Sequence, residues 1–147
     1  MPIVTVAEHI AAPADRVWDH ISWHGLQRLT GGLFQRIEFF GDMPEPGITK
    51  RIHFAEGMPV LERLESVDEC DRTYRYRVID AGSLPVTDYS GYVRVTPCGP
   101  DACHLKIECE FTTVLVTETE WGTTWRAMES SLIDQIRGLV GAATPAA

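Results

Sequence analysis

Apolar and polar positions alternate from the outset, and the stretch from Ile3 to His9 predicts a first strand. Ala12-Pro13-Ala14-Asp15 follows, where proline suits a first helical turn and Asp15 complements its dipole. Val17, Trp18 and Ile21 then put an apolar face on a short helix; Gly25 interrupts it, and Leu26 and Leu29 predict a second short turn ending at Gly31-Gly32. From Phe34 to Val116 the chain reads as strand and turn, with strands over 35–40, 48–55, 59–67, 73–80, 87–96 and 103–115, separated by Gly, Pro and Asp. Short turns make sequential neighbours antiparallel. The last 25 residues change period: Trp121, Trp125, Met128, Leu132, Ile136 and Leu139 fall at helical spacing, with Glu120, Arg126, Glu129 and Arg137 off that face. Thr117 or Thr119 caps the start of this helix, and Gly141 stands where it stops.

The element order is therefore one strand, two short helices, six strands and one long amphipathic helix. A single seven-stranded antiparallel sheet must bury one face, and the long helix is the one large partner for it. A sheet curled round a helix leaves a cavity, because the helix cannot fill the whole concave surface. The remaining arithmetic fits one α+β domain over 1–140, with a small-residue tail, 141–147, expected to be disordered. The chain has 147 residues, 44% hydrophobic, enough for a core without disulfide or metal staples. Thirteen basic against twenty-one acidic residues give a net charge of −8, which argues against nucleic acid or an anionic membrane as partner. No apolar run reaches spanning length, and Met1-Pro2-Ile3-Val4 enters the alternation with no secretory pattern, so the expectation is a cytoplasmic protein with no integral membrane association. Cys70, Cys98, Cys103 and Cys109 form no C-x-x-C or zinc-finger spacing and are expected as free thiols, although Cys98 and Cys103 flank a Gly-Pro turn. Lys50 and Lys106 are the two lysines and hence the two Schiff-base candidates, Lys106 facing solvent.

Several segments resemble the START/Bet v 1-like superfamily, also called the SRPBCC or polyketide cyclase/dehydrase-like group. The likeness runs to about Val140. It is carried by Ile10-Ala11-Ala12-Pro13-Ala14-Asp15-Arg16-Val17-Trp18, Gly47-Ile48-Thr49-Lys50-Arg51, Val60-Leu61-Glu62-Arg63-Leu64, Tyr74-Arg75-Tyr76-Arg77-Val78, and Leu84-Pro85-Val86 with Tyr89 after it. The resemblance implies a helix-grip fold: the curved sheet wrapped round the C-terminal helix, two short helices after strand 1. It also implies an internal cavity for a small hydrophobic, oxygenated molecule (polyketide-like, aromatic or lipid). It does not choose among cyclase or dehydratase, carrier or sensor, and chaperone-activator interaction module.

Alternation nominates the side chains facing that cavity. On 103–115, Leu105, Ile107, Cys109 and Phe111 point in; on 87–96, Tyr89, Gly91, Val93 and Val95 do; on 73–80, Tyr74, Tyr76 and Val78. Matching charges between 59–67 and 73–80 places Glu65 near Arg75 and turns Glu62, Leu64 and Ser66 inward. A tight turn at Glu56-Gly57-Met58-Pro59 then sets His53 opposite Glu62, with Arg51 one pleat away. These assignments hold in this register, since a slip of one residue reverses each.

The candidate catalytic group is His53, Glu62 and Tyr76; the candidate ligand contacts are Arg51, Leu64, Tyr74, Tyr89, Cys109, Phe111, Trp121, Trp125 and Met128. A carboxylate beside imidazole raises its basicity, and phenols hold a carbonyl or enolate oxygen, a set suited to proton abstraction, aldol-type cyclisation or dehydration. Arg51 and Glu62 as a structural ion pair, the tyrosines and the Trp121/Trp125/Met128 stripe as core, and Cys109 as a small buried hydrophobe are the competing readings. His20 and His24 have helical spacing for a metal, yet no H-E-x-x-H and no third ligand accompany them; phosphate-loop, dinucleotide and serine-elbow motifs are absent, and no cofactor or metal is expected. Cavity volume separates the readings, since a drug-sized ligand occupies more than about 300 Å³. An uncovered edge strand could support a homodimer.

Overall fold

A computed structural model describes residues 2–142. Strand β1 (Ile3–Ile10) leads into helix α1 (Ala14–Ile21) and a 3₁₀ turn (Gly25–Leu29). Then come β2 (Arg36–Phe40), β3 (Thr49–His53), β4 (Val60–Asp68), β5 (Thr73–Asp80), β6 (Val86–Pro97), β7 (Cys103–Thr113) and helix α2 (Glu118–Val140). The seven strands form one antiparallel sheet in the order β1-β7-β6-β5-β4-β3-β2. Each strand from β2 onward lies beside its successor, and the α1 crossover carries the chain from one edge, β1, to the other, β2. The tail residues 143–147 lie outside the described residues.

Alternation explains the concave face. Val4, Val6 and Ile10 of β1, Tyr74 and Tyr76 of β5, Tyr89, Val93 and Val95 of β6, and Leu105, Ile107, Cys109 and Phe111 of β7 are all buried in one core with side chains of α1 and α2. Helix α2 is capped as its sequence predicts: Thr117 Oγ1 accepts the Glu120 N–H at 3.0 Å, and Gly141 at φ 74° takes the left-handed stop.

Two features of the helix face differ from expectation. Arg137 is 3% exposed and Leu139 is 49% exposed. Positions 121, 125, 129, 133 and 137 form one i+4 row on the buried side, and the row carries Arg137 inward. There its guanidinium donates to Glu8, Asp134 and the His9 carbonyl, at 3.3, 3.2 and 2.9 Å. On β4 a bulge intervenes between Leu64 and Ser66, so Ser66 rather than Glu65 stands near Arg75. Glu65 instead accepts from Arg63 at 2.8 Å. The histidine pair also separates: His20 Nδ1 meets the Arg16 carbonyl of its own helix, while His24 Nε2 meets the Gly41 carbonyl, each at 2.8 Å. The four cysteines are free, with Cys103 and Cys109 buried.

Candidate active site

The β3–β4 hairpin sets the charged part of the site. Ile52 pairs with Val60, Arg51 with Leu61 and Lys50 with Glu62, and a loop of residues 54–59 joins the strands in place of a tight four-residue turn. Lys50 and Ile52 consequently face the core, and Arg51 and His53 face outward. This corrects the expected constellation. His53 sits on the convex surface in a side-chain bond to Glu38 at 2.6 Å with Arg36 beside it, and the Arg51 guanidinium lies 5.4 Å from the Phe40 ring. The His53 contact is the leading reason the Glu38 carboxyl is held below its usual range.

Lys50 takes the inward place that His53 and Arg51 were expected to fill. Its side chain is fully buried: Nζ donates to the Trp23 carbonyl at 3.2 Å, lies 4.0 Å from the Trp23 ring centroid, and stands 3.8 Å from Glu62 Oε1. Burial lowers its pKa to about 8, against the pull of the Glu62 charge. Burial raises the Glu62 carboxyl in turn, with Lys50 opposing that shift. A second carboxyl comes from α2. Glu129 lines the same cavity, and burial first, then the Glu62 charge, pushes it up to about 8. Burial thus favours the protonated form of both carboxyls, and the Lys50 ammonium opposes it at Glu62 alone. Two carboxyls in one cavity with different electrostatic surroundings are the arrangement from which an acid and a base are made.

Aromatic residues enclose these groups. Tyr74, Tyr76, Tyr89, Trp121, Trp125 and Met128 line the cavity with Glu62 and Glu129. The Tyr74 hydroxyl is occupied, donating to the Ile21 carbonyl at 2.9 Å. Burial, more than the neighbouring carboxylates, keeps all three phenols well above their ordinary pKa. Leu64, Cys109 and Phe111, expected as ligand contacts, are buried in the core but are not among the lining side chains. Burial pushes the Cys109 thiol up to about 12, which holds it as the neutral thiol.

The cavity volume is about 60 Å³, room for a few waters and below the few hundred Å³ of a ligand site. Leu84, Trp121 and Met128 form its wall, and the same three side chains border a shallow outer groove of about 190 Å³. Leu84 and Met128 are half-buried, so the partition between groove and cavity is one side chain thick.

A curved antiparallel sheet closed on one long helix, with a lined cavity between, defines the helix-grip class of domain. The chain belongs to the family described as polyketide cyclase / dehydrase and lipid transport, whose profile matches residues 1–143. Among curated proteins it is similar to S-norcoclaurine synthase of Thalictrum flavum subsp. glaucum, 31% identical over 110 residues, which is 69% of this chain and 52% of that protein. It is also similar to S-norcoclaurine synthase 2 of Coptis japonica, 30% identical over 112 residues, 69% of this chain and 57% of that one. The chain thus spans about half the length of the curated relatives it matches. Among solved structures, XoxI of Bacillus cereus superposes with a TM-score of 0.80 at 20% identity, covering 95% of this chain and 96% of that one. A Streptomyces aromatase/cyclase gives 0.76 at 18%, covering 95% and 93%. Truncated norcoclaurine synthase of Thalictrum flavum gives 0.69 at 26%, covering 95% and 92%. Among the described residues no helix is long and apolar enough to cross a membrane.

Proposed function

We propose that this protein takes a small aromatic carbonyl compound into the cavity and catalyses its condensation, cyclisation or dehydration with Glu62 as base and Glu129 as acid. The observation that carries the reading is the pair of carboxyls in one aromatic cavity, one backed by the buried Lys50 and the other held protonated. Glu62 removes a proton from the carbon next to a carbonyl while Glu129 donates its proton to the carbonyl oxygen. As the resulting enol carbon bonds to a second carbonyl carbon, Glu129 takes back the enol O–H proton and Glu62 gives its proton to the second carbonyl oxygen, which becomes a hydroxyl. In the dehydration Glu62 removes a second proton from the same carbon while Glu129 protonates the hydroxyl, which leaves as water. A proton passed from Glu62 to Glu129 restores the starting state. The family's cyclase and dehydrase members support this class of reaction. A norcoclaurine synthase structure in complex with dopamine and hydroxybenzaldehyde supports an aromatic carbonyl compound as the ligand class. Lys50 acts here as the charge that keeps Glu62 ionised.

The test is turnover followed by mass spectrometry. Purified protein is offered an aryl poly-β-ketone, whose methylenes between carbonyls carry the proton Glu62 would remove, and products are compared with the uncatalysed background. Glu62→Gln and Glu129→Gln are each expected to lower the rate by about 10²–10⁴ without unfolding the protein. Variants that turn over like wild type overturn the assignment. The closed volume of about 60 Å³ favours a second reading, a non-catalytic carrier or interaction module. On that reading no product forms, and both variants take up the same ligands as wild type.

A further inference from the structure

The Proposed function leaves the aromatic hydrogen bonds unexplained, and they have a direction. Trp125 Nε1 donates to the Tyr89 hydroxyl at 2.8 Å, and the Tyr89 and Tyr76 hydroxyls are 3.4 Å apart. Indole nitrogen is a donor and never an acceptor, so the chain begins at Trp125. Its members own three polar protons and make two bonds among themselves, leaving one O–H that no partner in the chain accepts. Tyr89 also bonds the Cys109 thiol, so its proton has two possible acceptors, the Tyr76 oxygen and the Cys109 sulfur. A phenol oxygen is the stronger acceptor and a thiol the weaker one, so the Tyr89 proton goes to Tyr76 and the Tyr76 O–H is the one left over. All three side chains are buried and line the cavity.

A glycine fixes where the Tyr76 oxygen lies. Gly91 pairs with Tyr76 across β5 and β6, and a methyl group on Gly91 would come within 2.1 Å of the phenol Cζ and 2.5 Å of its oxygen. The ring lies flat on the glycine, in a place that no other residue type leaves open. Trp121 adds a second donor: its Nε1 is buried, the side chain lines the cavity, and it has no hydrogen-bond partner in the structure.

We propose that Trp125, Tyr89 and Tyr76 form a one-way hydrogen-bond chain that presents the Tyr76 O–H to an acceptor oxygen of the cavity's occupant, with Trp125, Tyr89 and Gly91 as positioning residues. The ligand chemistry this selects is a carbonyl or enolate oxygen, and the proposal rests on the carbonyl reading above.

Two measurements test it separately. Without ligand, the Trp125 indole proton is followed by NMR. Tyr89→Phe is expected to move it upfield, and Tyr76→Phe, which removes a hydroxyl that does not touch Trp125, moves it less in the same direction. An indole resonance unmoved by Tyr76→Phe overturns the chain. With ligand, the probe is 4-(dimethylamino)benzaldehyde, whose carbonyl stretch falls on hydrogen bonding. Wild type is expected to lower the stretch relative to the probe in hexane, Tyr76→Phe to abolish that shift, and Trp125→Phe to reduce it while weakening binding about threefold. Gly91→Ala, which displaces the ring, reduces it as well. A stretch unchanged by Tyr76→Phe overturns Tyr76 as donor. A wild-type protein that takes up no probe overturns the carbonyl reading and the ligand half of this proposal, while the indole shifts still decide the chain.

Discussion

The two faces of the β2–β3–β4 corner carry the same kinds of side chain to opposite effect. Outside, Arg63 meets Glu65 at 2.8 Å and His53 meets Glu38 at 2.6 Å. Inside, Lys50 and Glu62 are 3.8 Å apart. By distance alone the outer contacts are better. They are also solvated, and exposed ion pairs contribute little. The inner pair is taken out of water, which is why Lys50 falls toward 8 and both cavity carboxyls rise. Desolvation rather than proximity separates the inner pair, whose two groups are shifted by burial, from the outer ones.

The largest way to break this contrast is to discharge the inner face. Lys50→Met keeps the length of the side chain and leaves Glu62 buried without its cation, and is expected to lower stability by about 3 kcal/mol in urea unfolding at pH 7. A loss no greater than that of an outer-face substitution would remove the distinction. Next is a pH profile. Glu129 titrates near 8 when folded, against an ordinary 4.5, so between those values the native chain holds a proton that the unfolded chain has released. Its contribution to stability is full below about pH 4.5 and is lost as pH rises toward 8. Lys50 has the opposite sign: between 8 and 10.5 the unfolded chain holds the extra proton, and stability rises with pH there. Glu129→Gln is therefore expected to flatten the decline from pH 5 to 8, making the variant about 3–4 kcal/mol more stable relative to wild type at pH 8 than at pH 5. The smallest effect belongs to the outer face. His53→Ala and Arg51→Ala should leave turnover and probe binding at wild-type values, and a strong loss in either would bring the convex face into the site.

The elements were legible in the sequence because period decides them: each strand and both ends of α2 fall within a few residues of the alternation and capping signals that predict them. The inward faces of β5, β6 and β7 were legible for the same reason. What failed was the treatment of charge. Ile48, Lys50, Ile52 and Phe54 share one parity, and the apolar members of that set already mark Lys50 as inward. Glu129 and Arg137 likewise fall in the i+4 row of Trp121, Trp125 and Ile133. On α2 an assumption that charge seeks water overrode the periodicity; on β3 the assumed tight turn did, and it set Arg51 and His53 inward in place of Lys50. The β3–β4 register was less accessible, because the expected tight turn sets His53 opposite Glu62 where the loop over 54–59 sets Lys50, and an odd shift, here of three residues, turns the whole face. Glu62 and Tyr76 were placed inward by the pattern, and the structure brings them together with Glu129, not with His53.

The partition made by Leu84, Trp121 and Met128 has a kinetic consequence. An occupant larger than a few waters that enters from the groove does so only in conformations where that wall has moved, and for that route the apparent dissociation constant is the intrinsic one divided by the fraction of open molecules. If about 1% are open, affinity is reduced about a hundredfold. Where opening is slower than encounter, the observed association rate levels off as ligand concentration rises and reports the motion of the side chains rather than the chemistry behind them.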